Sequence, residues 1–407
     1  MSLYDKASLI QIPSGYKAGT LYSVIPNSGA GDFTHTRSGV ATRVNPQGLI
    51  EDVASNVPRL DYPFIDGVVE DCPSLLLEPQ RTNSTTYSED FNSWGDGGVT
   101  ITPNAIVSPD GTLNASKLVS TTNNWRKSSV FSGSAGVTYT ISIYAKLDTS
   151  TSTTTTRLEV YNGSGSMAAA YNLSNETISN GGFTSVFIER LQNDWYRIGG
   201  TYTAGGTNNI LYVYPSAGYG TAGTMYFWGA QQEAGSYPTS YIPTSGGSVT
   251  RLVDSSHLLS HSLFTDYPFT VYAKAEVKAI PNDFFSLVDN TSSEKYLLFQ
   301  LSSATQISVH RRNSITNDSD YYDFSYSIGD TLKVAISYIS ATSYKLYING
   351  TQIGNVTSGS SLPFAYPDII LGQQRVTSDT GRRNPISEFL VFSEALSDSE
   401  LQTLTTL

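Results

Sequence analysis

Hydrophobic and polar residues alternate with a period of two along much of this chain. VTYTISIYAK at 137–146 is the cleanest run, as a strand with one buried face requires. Similar runs at 99–102, 115–120, 156–161, 183–189, 195–203, 210–214 and 224–233 are separated by Gly, Asn and Ser turns. They predict a two-sheet sandwich of jelly-roll type over 84–246. Runs at 269–277, 284–289, 297–301, 306–311, 331–339, 343–348 and 368–371 predict a second sandwich over 269–407. Within it, YKLYINGTQIG at 344–354 is a hairpin turning at Asn349-Gly350. SEFLVFSEALSDSEL at 387–401 pairs a last strand with a helical turn, and Ser397 with Glu400 forms its capping box. Residues 247–268 read as a linker.

Residues 1–90 follow neither period. Short apolar pieces (Val40, Leu49-Ile50, Leu75-Leu76-Leu77) are broken by Asn-Pro, Gln-Gly, Val-Pro and Asp-Gly. That punctuation gives short extended pieces joined by tight turns, which must lie against something else to be ordered. The expected architecture is all-β: an extended N-terminal attachment segment followed by two tandem antiparallel sandwiches.

Composition narrows the function classes. Only 14% of the 407 residues are charged, and 12% are aromatic, which argues against disorder. A net charge of −11 speaks against a nucleic-acid or anionic-membrane binder, since both need a cationic footprint. Cys72 is the single cysteine, so no intrachain disulfide forms and packing must supply stability. No apolar run has transmembrane length, which predicts no membrane insertion. The start MSLYDKASLI lacks the layout of a secretory signal, which predicts a protein made in the cytoplasm.

RSGVATRVN (37–45), GLI (48–50), LLEPQRTN (76–83) and YSEDF (87–91) together resemble a recurring segment of bacteriophage fibre and virion-surface proteins. SLIQIPSGYK (8–17) with LYS (21–23) is similar to the start of such proteins. The resemblance implies a virion-surface location, other virion proteins as partners through 1–90, and a homo-oligomer, a trimer by analogy. VTYTISIYAK, DWYRI (194–198) and YFWGAQQE (226–233), with the exit YPTSYIPT (237–244), resemble jelly-roll carbohydrate-binding modules. The Asn349-Gly350 hairpin and closing strand plus helix resemble the concanavalin A-like or laminin-G-like sandwich. Both imply a host-surface glycan as partner.

Candidate chemistry follows from glycan recognition, in which aromatic faces cover sugar CH groups and planar polar groups hold hydroxyls. Trp125, with Asn124 and Arg126 in TTNNWRK, is a tryptophan among polar loop residues; sugar stacking and an edge-of-core plug are both open. Trp195 and Trp228 read as core, and Trp94 as closing the first sandwich. In NDSDYYD (317–323), Tyr321 and Tyr322 would offer stacking surface, and Asp318, Asp320 and Asp323 would ligate Ca²⁺. The plainer reading is a solvated acidic hairpin loop. Arg311-Arg312 and Arg382-Arg383 read as surface ion-pair partners. His257 and His261 share a helical spacing of four, but without a third ligand they read as linker residues. No Glu-x-Asp-x-x-Glu stands in the second sandwich, and Glu388 is alone on its strand, so no enzyme is expected. A purely architectural decoration protein and a glycan depolymerase are the other two readings.

Overall fold

A computed structural model describes residues 2–122, 127–289, 295–312, 317–359, 366–373 and 384–407. Two antiparallel sandwiches account for most of it, but they are nested rather than tandem.

The first sandwich is built from two six-stranded sheets. Its central strand, Thr138–Leu147, lies between Trp195–Thr203 and Gly223–Ala234. Alternation turns Tyr139, Ile141, Ile143 and Ala145 into the module's core with Leu158, Leu211 and Phe227. Trp94 joins that core against Phe91, at 4.9 Å between ring centroids, and its Nε1 donates to the Tyr87 carbonyl at 2.8 Å. It closes the sandwich as expected. The other face of Thr138–Leu147 is buried too, since Tyr144 packs with Trp195, Trp228, Tyr241 and Ile50. Both tryptophans are therefore core residues of a junction rather than of the module's own interior. Gly229 makes this packing possible: at φ +60° it sits beside a register shift, and a Cβ there would lie 2.8 Å from Tyr144 Cδ2.

The second sandwich has an eight-stranded and a nine-stranded sheet, and six of their strands come from residues 9–75. Leu9–Gln11 pairs with Ile386–Phe392, with Leu9 opposite Val391. Ser74–Leu75 lies on the same strand and carries Leu60–Asp61 beyond it. In the opposite sheet, Phe33–Thr36 pairs with Ser255–Leu258 and leads outward to Thr20–Leu21 and Tyr16–Lys17. Leu9, Leu21, Phe33, Leu60, Leu75 and Leu77 enter one core with Phe269, Phe285, Phe299 and Phe389. The expectation of an extended N-terminal segment seeking a partner is corrected here. These pieces are ordered by docking on the chain's own C-terminal half, because each is too short to bury a face alone.

Residues 84–246 are thus an insertion. The chain enters it through Arg81–Asn83 and leaves through Val249–Arg251, which pair antiparallel with Arg81 opposite Arg251. The expected linker 247–268 is also corrected: Val249–Arg251 and Ser255–Leu258 are strands. His257 lies in the latter and is buried, not on a helix with His261. The His261 ring packs 4.7 Å from Phe264, and burial pushes it down to about 4.

A histidine kept neutral by burial makes folding acid-sensitive. The folded value lies below the unfolded one, so this stability is complete above pH ~6.5 and drains as pH falls toward ~4. His261→Gln is expected to keep about 2–3 kcal/mol that the parent loses over that interval. Urea unfolding at pH 7 and pH 4.5 measures it; equal losses in both proteins would refute the assignment.

A buried ionic network pins the neck. Asp254 accepts from Arg37 Nη1 at 3.0 Å, from Arg59 Nη2, and from the Glu78 amide at 3.0 Å. Glu78 pairs with Arg59 at 2.7 Å and Arg251 at 2.9 Å, and accepts from the Ser240 amide and hydroxyl at 2.7 and 2.6 Å. Burial pushes both carboxyls up, but the guanidiniums outweigh it. Arg251 and Arg59 hold Glu78 down to about 2, and Arg59, His35 and Arg37 hold Asp254 well below the usual range.

The predicted Asn349-Gly350 turn forms with φ 46° and 79°, both positive as a type I′ turn demands. The closing helix Asp398–Thr405 has the predicted capping box, and it buries Leu401 and Leu404 against Tyr347 and Phe392.

Candidate functional site

NDSDYYD is an edge strand rather than a loop. Asn317–Asp323 pairs with Gln306–Arg312 at the rim of the nine-stranded sheet. Val309 and Arg311 face inward, so their partners Asp320 and Asp318 face inward with Tyr322. Arg311 is only 4% exposed, with Nη2 3.1 Å from Asp320 and 3.5 Å from Asp318. Its guanidinium lies 5.2 Å from the Tyr344 ring centroid. Tyr344 donates to Asp320 at 2.7 Å and shares a hydrogen bond of 2.7 Å with Tyr322. Between this strand and Val356–Gly359 opens a polar pocket of about 430 Å³. The Arg311 Nε is buried there without a hydrogen-bond partner.

Alternation sends Tyr321 to the opposite face, where it is 55% exposed and stands edge-on to His310 at 6.0 Å. His310 is fixed by Ser319 at 2.7 Å and Ser308 at 2.9 Å. The adjacent tyrosines therefore do not form one stacking platform. The expected Ca²⁺ set is divided in the same way. Asp318 and Asp320 are balanced by Arg311, and Asp323 lies across the sheet with Tyr321. Among the described residues no three or more His, Cys, Asp or Glu side chains converge on a metal-sized space. Arg311 does pair with the aspartates, but as a buried group rather than a surface one. Asn124, Trp125, Arg126, Arg382 and Arg383 lie outside the described residues. Glu388 is held by the Tyr4 hydroxyl at 2.5 Å and the Tyr272 hydroxyl at 3.1 Å.

A larger cleft of about 680 Å³ lies between the sandwiches. One wall is the outer face of the first sandwich, carrying Phe187, Glu189 and Arg197; the other carries Asp61, Tyr62 and Phe64. Sequence reasoning missed it, because its walls come from segments that only the nesting brings together.

Two antiparallel sandwiches with polar, aromatic-flanked openings make this an all-β protein. Residues 253–402 match the family model Laminin_G_3, described as the concanavalin A-like lectin/glucanases superfamily. The matched stretch omits the six strands from residues 9–75 that complete its sheets. No curated protein matches the chain. Among solved structures, the carbohydrate-binding domain CBM40 of the Ruminococcus gnavus IT-sialidase, bound to α2,3-sialyllactose, is 17% identical. That likeness covers 35% of this chain and 84% of that one, with a TM-score of 0.31. Domain 4 of AbnA, a GH43 extracellular arabinanase from Geobacillus stearothermophilus in complex with arabinotriose, is 16% identical. It covers 42% of this chain and 83% of that one, with a TM-score of 0.32.

Proposed function

We propose that this protein is a non-catalytic virion-surface component of fibre or appendage type that holds host-surface glycans through its sandwiches. The observation that carries the glycan reading is the concanavalin A-like family match over 253–402, on a sandwich with a polar rim pocket and an exposed Tyr321 beside the half-buried His310. The virion reading is supported by the phage-like motifs at 8–23 and 37–91. With that segment folded onto the second sandwich, attachment to other virion proteins falls to its outward side chains, among them the exposed Ile12, Tyr22 and Val24. Individual sugar sites are weak, and a symmetric oligomer would compensate by avidity.

The test is a glycan array probed with the full-length chain, alongside imaging of particles labelled with an antibody against it. Retention of host polysaccharide and surface labelling of particles are expected. Tyr321→Ala is expected to weaken the best array ligand by about 3–10-fold, the range of one aromatic contact. A chain that retains no glycan but decorates particles would establish the architectural reading instead. Release of new reducing ends would establish a depolymerase.

A further inference from the structure

We propose that the cleft between the sandwiches is a second glycan site, and that it takes an uncharged oligosaccharide. This rests on the glycan-binding reading above and adds a place and a ligand class to it.

The cleft has the size of a ligand site, about 680 Å³ within the usual ~300–1,000 Å³, and it lies where two modules meet. Its first wall is the sheet strand Ser185–Arg190 and its neighbour Trp195–Thr203. Val186 and Ile188 turn into the sandwich, which leaves Phe187 and Glu189 facing out. Gly199 stands opposite Phe187 and lets the ring lie flat over the neighbouring strand, since a Cβ there would touch it at 2.5 Å. The second wall is the hairpin Phe64–Ile65/Val68–Val69 with the preceding Asp61 and Tyr62. Its turn at Asp66-Gly67 reaches across to the first sandwich, where a Cβ on Gly67 would lie 3.0 Å from Arg190 Cδ.

Two polar side chains at the cleft, each at least nine-tenths buried, are left incomplete. Arg197 is 8% exposed; its Nη2 donates to Ser142 at 3.0 Å and the Thr239 carbonyl at 2.7 Å, but its Nε has no partner. Tyr237 is 9% exposed and its hydroxyl has no partner. Buried donors of this kind are costly unless something supplies an acceptor.

Charge decides the ligand class. Most cations around the cleft are already taken: Arg43 by Glu51 at 2.7 Å, Arg190 by Asp194 at 3.2 Å, and Lys278 by Glu276 at 2.6 Å, while the buried Arg197 is bonded only to the neutral oxygens of Ser142 and Thr239. Among the described residues, Asp61, Asp66 and Glu189 have no cation at ion-pair distance. Asp61 accepts only the Val44 amide, at 2.7 Å. An acidic sugar would meet three such carboxylates against the single guanidinium of Arg197. A neutral sugar would give those carboxylates pairs of hydroxyl donors and lay its CH faces on Phe64, Tyr62 and Phe187.

The experiment uses the full-length chain against an array of neutral, sialylated and uronic-acid oligosaccharides, then calorimetric titration of the best neutral ligand. Phe187→Ala and Glu189→Gln are each expected to weaken that ligand by about tenfold, the cost of one ring face or one hydroxyl-pair contact. Glu189 is exposed, so its variant folds whatever Phe187→Ala does. Neutral binding untouched by both cleft variants overturns the cleft site and leaves glycan binding standing. Cleft variants that weaken only acidic ligands overturn the ligand class. An array with no binding at all overturns both proposals.

Discussion

A chain beginning at Ser84 is expected to be insoluble or molten, although it contains every residue of the family match. It lacks Leu9, Leu21, Phe33, Leu60, Leu75 and Leu77, all at most 5% exposed in the second core. Burying side chains of this size contributes about 1.5–3 kcal/mol each, so their loss is on the scale of a whole domain's net stability of ~5–15 kcal/mol. The loss also strips both sheets of paired strands and leaves Asp254 without Arg37 and Arg59. Residues 84–246 alone are expected to fold, because their core draws only on residues 91–230. Circular dichroism and thermal melts of the two fragments check this. A cooperative melt from the Ser84-start chain would show that the N-terminal strands are ornamental.

Asp254→Asn is expected to destabilise the full chain by about 3–5 kcal/mol, because it leaves buried guanidiniums uncompensated. Asn is nearly the same size, so the loss reports charge rather than volume. For a domain of this size the midpoint should fall by roughly 6–20 °C. Glu78 adds a pH signature with the opposite chemistry to His261. Its folded value of about 2 lies below the unfolded one, so its contribution is present above pH ~4.3 and is lost as pH falls toward ~2. Its size is about 3 kcal/mol. Glu78→Gln should start less stable at pH 7 and show a shallower decline below pH ~4. Parallel declines in parent and variant would mean that the network is electrostatically idle.

The regular strands were legible because period-two alternation persists over six or more residues, as in Thr138–Leu147. The Asn349-Gly350 turn and the Ser397/Glu400 cap were legible because each is fixed by local chemistry. The first eighty residues were not. Their strands are two to four residues long, too short to display a period, and the three that join them to the C-terminal half, Leu9–Gln11, Phe33–Thr36 and Ser74–Leu75, meet partners hundreds of positions away. What was visible was the need for a surface to lie on; which surface was not. Asn317–Asp323 looked like a loop because an edge strand at an open rim can carry polar groups on both faces. Of the residues expected to form a site there, Tyr321 stays exposed, while Tyr322 and two aspartates are committed to Arg311 and Tyr344. The ionic neck left one faint trace, since Arg37, Arg59, Glu78, Arg251 and Asp254 stand in otherwise apolar or small-residue surroundings of a charge-poor chain.

The pairing of Leu9–Gln11 with Ile386–Phe392 also orders events during synthesis. A ribosome releases the inserted sandwich whole, with both of its sheets able to zip at once, while Leu9–Gln11, Phe33–Thr36 and Ser74–Leu75 still lack their distant mates. Leu9–Gln11 and Ser74–Leu75 must wait for the closing strand to emerge, so loop closure across nearly the entire polypeptide comes last and slowest. Until then the waiting leucines are exposed to solvent, and holdase chaperones would find their substrate in that interval.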